Sequence, residues 1–203
     1  MRTWNCPKIQ QLADGRVLLL CDTYAYPPGE WGVENDARSL LFFRADGGAT
    51  FSDAVPTAVG GICPDQVLEM PDGRWLLATN RRDSDTDRLY QSLNVSRDGG
   101  STWDDPADLA PGCDLDLDEA SMLHLPDGEI ISYERTDSGH PLQKLISRDG
   151  GASWEGPFAT LNPAAIGMPI AGLTAHGLIP VSYTHLRAHE TDSYLVCRLL
   201  LEK

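Results

Sequence analysis

Apolar residues in this chain come in short runs, and the same polar step introduces them. Leu12-Ala13-Asp14-Gly15 leads into Arg16-Val17-Leu18-Leu19-Leu20. Met70-Pro71-Asp72-Gly73 leads into Arg74-Trp75-Leu76-Leu77-Ala78, and Leu125-Pro126-Asp127-Gly128 into Glu129-Ile130-Ile131. An Asp-Gly pair between strand-like runs supplies the positive φ of a two-residue turn, so each stretch predicts a tight hairpin. A second polar step follows at a fixed distance. Ser96-Arg97-Asp98-Gly99-Gly100-Ser101-Thr102-Trp103 returns as Ser147-Arg148-Asp149-Gly150-Gly151-Ala152-Ser153-Trp154, and a worn copy runs from Arg44 to Phe51. The aspartates at 46, 98 and 149 recur at intervals of 52 and 51. Asp bonds backbone N–H groups across such a turn, the glycines allow positive φ, and the tryptophan tucks beneath as an apolar plug. That chemistry needs no ligand, and the motif reads as structural.

Two hairpins per unit of about fifty residues make four short strands, repeated with one period, the pattern of a β-propeller blade. The expected fold is all-β. Blades fall at about 4–55, 63–106 and 118–157, and a fourth opens near 167, where Leu173 to Ile179 resembles another hairpin. The repeat then stops. Val181 to Thr191 resembles one reading frame of a transposase adapter used in sequencing libraries, and Tyr194 to Lys203 the flanking flow-cell adapter. The expectation is that 1–180 is a partial propeller and 181–203 a non-native tail; a C-terminal helix over the Leu199–Leu201 run is the alternative.

Charge narrows the partners. Of 203 residues, 30 are acidic and 16 basic, for a net charge of -14, which repels phosphate backbones and anionic lipid and argues against nucleic acid and membranes. With no spanning-length apolar run and no leader ahead of the first motif, the expectation is a cytoplasmic protein. The five cysteines form no C-x-x-C pair and the five histidines no H-x-H or H-E-x-x-H set, so the thiols read as scattered apolar residues, with no metal or other cofactor implied.

Candidate chemistry sits at the strand ends opposite the Asp-Gly turns. Counting ten to seven residues back from Gly15, Gly73 and Gly128 gives Asn5-Cys6-Pro7-Lys8, Cys63-Pro64-Asp65-Gln66 and Asp118-Glu119-Ala120-Ser121. Seven residues after each glycine the hairpin returns at Asp22, Asn80 and Arg135. Asn5, Lys8, Asp65, Gln66, Asp118, Glu119 and Arg135 then ring the channel mouth. Amides and carboxylates suit sugar hydroxyls, and Arg offers a fork for a sugar carboxylate; strand-end salt bridges are the other reading. The polar loop from Thr23 to Arg38, with Tyr24, Tyr26, Trp31, Glu34 and Asp36, is either a binding loop or a solvated connector.

These features resemble the sialidase (neuraminidase) superfamily with Asp-box, or BNR, repeats. The segment Asp118-Glu119-Ala120-Ser121 through Tyr133-Glu134-Arg135, followed by the box at Ser147, is similar to the family segment in which an Asn-Glu pair opens a strand and an Arg closes the hairpin. The resemblance implies a six-bladed propeller, of which about three and a third blades are here, and a retaining exo-glycosidase releasing terminal sialic acid from glycoconjugates. By it Glu119 corresponds to the base toward a nucleophilic tyrosine, and Arg135 to one of three arginines clamping the substrate carboxylate. Asp36, or second Glu34, would be the acid. Tyrosine replaces the usual carboxylate nucleophile in this mechanism. The chain departs from the pattern at Asn5, where the first clamp arginine belongs; Arg2 and Lys8 are near but out of place, and the third arginine and the tyrosine belong to later blades. Asn5 favours the alternatives: a non-catalytic glycan-binding propeller, or a glycosidase for another sugar.

Overall fold

The computed structural model describes residues 2–25, 35–44, 50–137, 139–161 and 167–182, together with the backbone of 200–202. Most of the long loop (26–34, with Glu34), the first Asp-Gly-Gly turn (45–49) and residues 183–199 of the tail lie outside the described residues.

Every described element is a strand. The first sheet holds β1 (Arg2–Gln11), β2 (Val17–Ala25), β3 (Asn35–Arg44) and β4 (Val55–Gly60). The second holds β5 (Leu68–Glu69), β6 (Trp75–Arg82), β7 (Leu89–Ser96) and β8 (Ala107–Asp108). The third holds β9 (Leu117–His124), β10 (Ile130–Thr136), β11 (Gln143–Ser147) and β12 (Glu155–Ala159). A fourth joins β13 (Ile170–Ala171), β14 (Ile179–Ser182) and β15 (Leu200–Glu202). Strand order follows chain order in each sheet and the strands alternate in direction, so each is an up-and-down meander. The fold is a partial β-propeller. No helix occurs among the described residues, and none long enough to cross a membrane. At 200–202, where a helix was the alternative to a tail, the backbone is extended: Leu200 pairs with Val181 and Leu201 with Pro180.

Packing explains why the middle strands read as unbroken apolar runs rather than alternating ones. A blade between two others buries both faces. Trp75 and Leu77 of β6 join Leu18, Leu20 and Leu41 of the first blade, while Leu76 and Ala78 on the opposite face join Leu117, Ala120 and Ile130 of the third. The third blade repeats the division, with Ile130 facing back and Ile131 and Tyr133 facing on toward Val181. At roughly 1.5–3 kcal/mol per fully buried large apolar side chain, these inter-blade clusters are the main source of stability.

The turns are built from local bonds. In each of four blades the hairpin closes the same way: Leu12, Met70, Leu125 and Thr174 each donate N–H to the carbonyl four residues on, at 2.8 to 2.9 Å. The two fully described Asp-Gly-Gly loops are also copies. Ser96 Oγ accepts from Gly100 N and Ser147 Oγ from Gly151 N, each at 2.9 Å. Asp98 Oδ1 accepts from Thr102 N at 2.8 Å, and Asp149 Oδ1 from Ser153 N at 2.9 Å. Gly100 shows why its position admits no side chain: φ is +89°, and a Cβ would stand 3.0 Å from Leu41 Cδ1 and from Trp75 Cζ3, wedging the first two blades apart. Trp103 and Trp154 lie partly buried against the cores on either side of the second blade.

Candidate functional site at the channel end

The ends of the sheets opposite these turns carry three β-bulges. Asn5 pairs with Asp22 and Lys8 with Leu20, leaving Cys6-Pro7 bulged out of β1. In the second blade Ile62 bridges Asn80, and Asp65 N donates to Ala78 O at 3.0 Å, so Cys63-Pro64 is bulged likewise. In the third, Leu117 pairs with Thr136 and Ala120 with Glu134, leaving Asp118-Glu119 between. A bulge re-aims the side chains it carries, and bulges concentrate beside active sites. Cys6 and Cys63 each adopt positive φ, 43° and 49°, where side chains other than those of Asn and Asp are uncommon.

The pairing also adjusts the ring expected from counting. Counting back from the turns sets Cys63 beside Asn5 and Asp118. The second bulge takes up one more residue than the others, so strand pairing instead sets Cys63 in the column of Cys6 and Glu119. Those three side chains converge. Cys6 Sγ stands 3.1 Å from Cys63 Sγ, and both sulfurs and a Glu119 carboxylate oxygen lie within 4.8 Å of one another. The thiols are therefore not scattered, although Cys21 and Cys113 do stand apart from this group. Their hydrogen bond favours ionisation of Cys6 and holds the proton on Cys63, whose thiol burial pushes up further.

Arg135 anchors the other side. Its Nε donates to Glu119 Oε2 at 2.7 Å and its Nη1 to Asp137 Oδ1 at 3.0 Å, and Nη2 pairs with Asp118 Oδ2. Arg135 and Glu119 are 16% exposed and Asp118 9%, so the charges meet mostly out of water. Burial raises the Glu119 carboxyl above its ordinary range.

The remaining predicted residues divide. Lys8 Nζ lies 2.8 Å from Met168 Sδ, and its charge reaches Glu119 and Asp65. Asn5 is half-buried opposite Asp22, and Gln66 is exposed. Asp65 is committed to the backbone: its Oδ2 accepts from Met122 N at 2.6 Å, tying the second blade to β9. Burial raises its pKa to about 6. Asp36 sits apart on β3, exposed, in ion pairs with Arg2 at 2.9 Å and with Arg38. Those two arginines hold its carboxyl below the usual range, the reverse of what a proton donor at neutral pH requires.

Sequence reasoning missed Cys6 and Cys63 as a pair, Asp137 as a third partner of Arg135, and Glu134. Glu134 is fully buried, and Ser132 Oγ donates to its Oε1 at 2.6 Å, while Oε2 has no hydrogen-bond partner among the described residues. Burial lifts its pKa to about 8. The signal was available for the cysteines: Cys-Pro occurs twice, at the strand end of consecutive blades.

No protein-family model matches the chain, and no curated protein matches it in sequence. Solved structures do. The chain is similar to the α-L-arabinofuranosidase Arb93A of Fusarium graminearum bound to an iminosugar inhibitor, at 19% identity and TM-score 0.66 over 89% of this chain and 56% of that one. It is similar to an α-L-arabinanase of Penicillium chrysogenum complexed with arabinobiose, at 20% identity and TM-score 0.64 over 93% and 60%. It is similar too to the Hadza microbial sialidase Hz136, at 17% identity and TM-score 0.63 over 89% and 40%. The chain thus spans about half the length of these structures, and what it shares with them is the β-propeller fold of glycosidases.

Proposed function

We propose that this chain is part of a β-propeller glycoside hydrolase acting on a carbohydrate at the bulged channel end. The observation that carries this reading is the Glu119–Arg135 pair at 2.7 Å, set in a bulge at the channel mouth, with the carboxyl raised by burial. In the sialidase-like form, Glu119 would take the proton of a tyrosine supplied by later blades while Arg135 receives the substrate carboxylate, releasing a terminal sialic acid. In this reading residues 181–203 would be adapter-derived, and activity would belong to the whole protein.

A second form rests on a specific feature. All three nitrogens of Arg135 already face carboxylates of Asp118, Glu119 and Asp137, and Asn5 stands where an arginine would serve an acidic sugar. A guanidinium so occupied suits a neutral sugar, and the arabinan-acting structures share the fold. The deciding experiment resequences the locus past Pro180 and assays the full-length product on chromogenic sialosides and arabinofuranosides beside Glu119→Gln. Sialic acid release that disappears in Glu119→Gln supports the first form. Arabinose release that disappears supports the second. A folded protein that binds glycan without turnover leaves a binding propeller, and one that does neither refutes the proposal.

A further inference from the structure

The Cys6, Cys63 and Glu119 cluster has no part in the hydrolase reading beyond Glu119 itself. We propose that these three side chains form a binding site for a soft divalent transition metal of the zinc class, one ligand from each of three successive blades, with a fourth position open to the channel. The inference does not depend on the hydrolase reading.

Geometry comes first. A tetrahedral zinc site takes Zn–S at about 2.3 Å and Zn–O at about 2.0–2.2 Å, which separates ligand atoms by roughly 3.5–3.8 Å. The three donor atoms already lie within 4.8 Å of one another, and the two sulfurs, at 3.1 Å, need to part by about 0.7 Å. The donor set then selects the metal. Two thiolates with one carboxylate disfavour calcium and magnesium, which take all-oxygen shells, and favour zinc, cobalt and their neighbours. Three protein ligands with a vacant fourth position is the pattern of reactive rather than purely structural zinc.

The surroundings agree. Buried Asp22 acts electrostatically on both cysteines, and Lys8 is the opposing cation, with its Nζ directed to Met168 Sδ. Arg135 engages Oε2 of Glu119, and the carboxylate also hydrogen-bonds the Cys63 thiol, whose proton an ion would replace. The positive φ of both cysteines is a second pointer. Each holds the backbone in a strained conformation, and such strain gathers at functional sites. Because the ligands come from separate blades, an ion here would also cross-link residues 57 apart in sequence.

The test uses the full chain, kept reduced with a phosphine and titrated with Co²⁺ and then Zn²⁺. The expected result is one Co²⁺ per chain with a strong sulfur-to-cobalt charge-transfer band in the near ultraviolet, displaced by Zn²⁺. Cys6→Ser and Cys63→Ser should each lose the band. Glu119→Gln should keep it at weaker affinity, and Cys21→Ser, Cys113→Ser and Cys197→Ser should leave it unchanged. A measurement on the unaltered protein covers variants that misfold: Zn²⁺ should slow alkylation of Cys6 and Cys63, read by peptide mass, and leave Cys113 unaffected. Absence of the band, its survival in both cysteine variants, no selective protection, or a Cys6–Cys63 disulfide reforming in place of metal uptake would overturn the site. None of these readouts involves turnover, so a failed metal site and a failed hydrolase are told apart.

Discussion

The two ends of each blade solve the same problem in opposite ways. At the turn end, the loop aspartates are satisfied within a few residues of chain, Asp98 by Ser96 and Thr102 and Asp149 by Ser147 and Ser153, with single bonds such as Ala13 N to Glu69 and Arg74 to Gly150 O reaching the next blade. At the channel end partners come from far away: Asp65 from β9, Glu119 from β10, Cys6 from the second blade. The turn-end aspartates Asp14, Asp72, Asp98 and Asp149 are exposed and their pKa values fall, Asp149 to about 2 through its hydrogen bonds with Ser153. At the channel end Asp65 and Glu134 are buried and theirs rise, Asp65 to about 6 and Glu134 to about 8. One end closes the fold with local bonds, while the other keeps charge in low dielectric, where it is costly to hold and available for chemistry.

The sharpest way to break this contrast is to remove one cation from each end. Arg135→Met strands the buried carboxylates of Asp118 and Glu119, and breaking such a pair costs about 3–5 kcal/mol. Arg148→Met removes the exposed partner of Glu129 and Glu155 at the turn end, and there solvent screening leaves little to lose. Denaturant unfolding of the two variants should show a large fall in midpoint for the first and almost none for the second. Equal losses would mean that the ends do not differ as described.

The same contrast explains what was legible in the sequence. The Asp-Gly and Asp-Gly-Gly turns carry their partners within four residues, so the string alone shows the bonds, the strands they join and the all-β repeat. Counting from the Asp-Gly turns puts Glu119 and Arg135 in one ring, and the family resemblance gives them roles; their direct contact, sixteen residues apart on paired strands, leaves no local spacing to read. Cys6 and Cys63 were read as unrelated because nothing local links them. Their meeting depends on bulges of unequal length, which shift the second blade's register against a count from its turn. The commitment of Asp65 to Met122 N and of Asp36 to Arg2 was hidden for the same reason: partners across blades or across a long loop leave no spacing to read, whereas Arg38, the other partner of Asp36, lies two residues away.

Glu134 sharpens the comparison through pH. Its folded pKa of about 8 lies above the ordinary 4.5 of an unfolded glutamate, so between these values the folded state holds a proton that the unfolded state has released. Stability from this group is therefore complete below about pH 4.5 and declines as pH rises through about 8. The cost at pH 8 relative to pH 4.5 is roughly 4 kcal/mol by linkage. Asp65 is the charged group acting on it, and Ser132 donates to Oε1. Glu134→Gln keeps the acceptor for Ser132 and abolishes the titration. Its unfolding free energy should decline less over this range than that of the unaltered chain, and a parallel decline would refute the buried-acid account.

The smallest expected effect tests whether the turn end is as local as its bonds suggest. Ser147 is fully buried, accepts from Gly151 N and donates to Asp149. Ser96 does the same for Gly100 N and Asp98 one blade earlier. Alanine at either position leaves one glycine amide without its acceptor, a loss of about 1–2 kcal/mol. The two serines share no partner, so the double variant should lose the sum of the single losses to within about 0.5 kcal/mol. Channel-end pairs such as Asp65 and Glu134, which act on each other directly, should depart from additivity by more. A double Ser96→Ala, Ser147→Ala variant that departs as far would show that the turns are coupled through the blade interfaces, where Gly100 rests on Leu41 and Gly151 on Leu93. The division between a local end and a long-range end would then be one of sequence distance only, without a counterpart in energy.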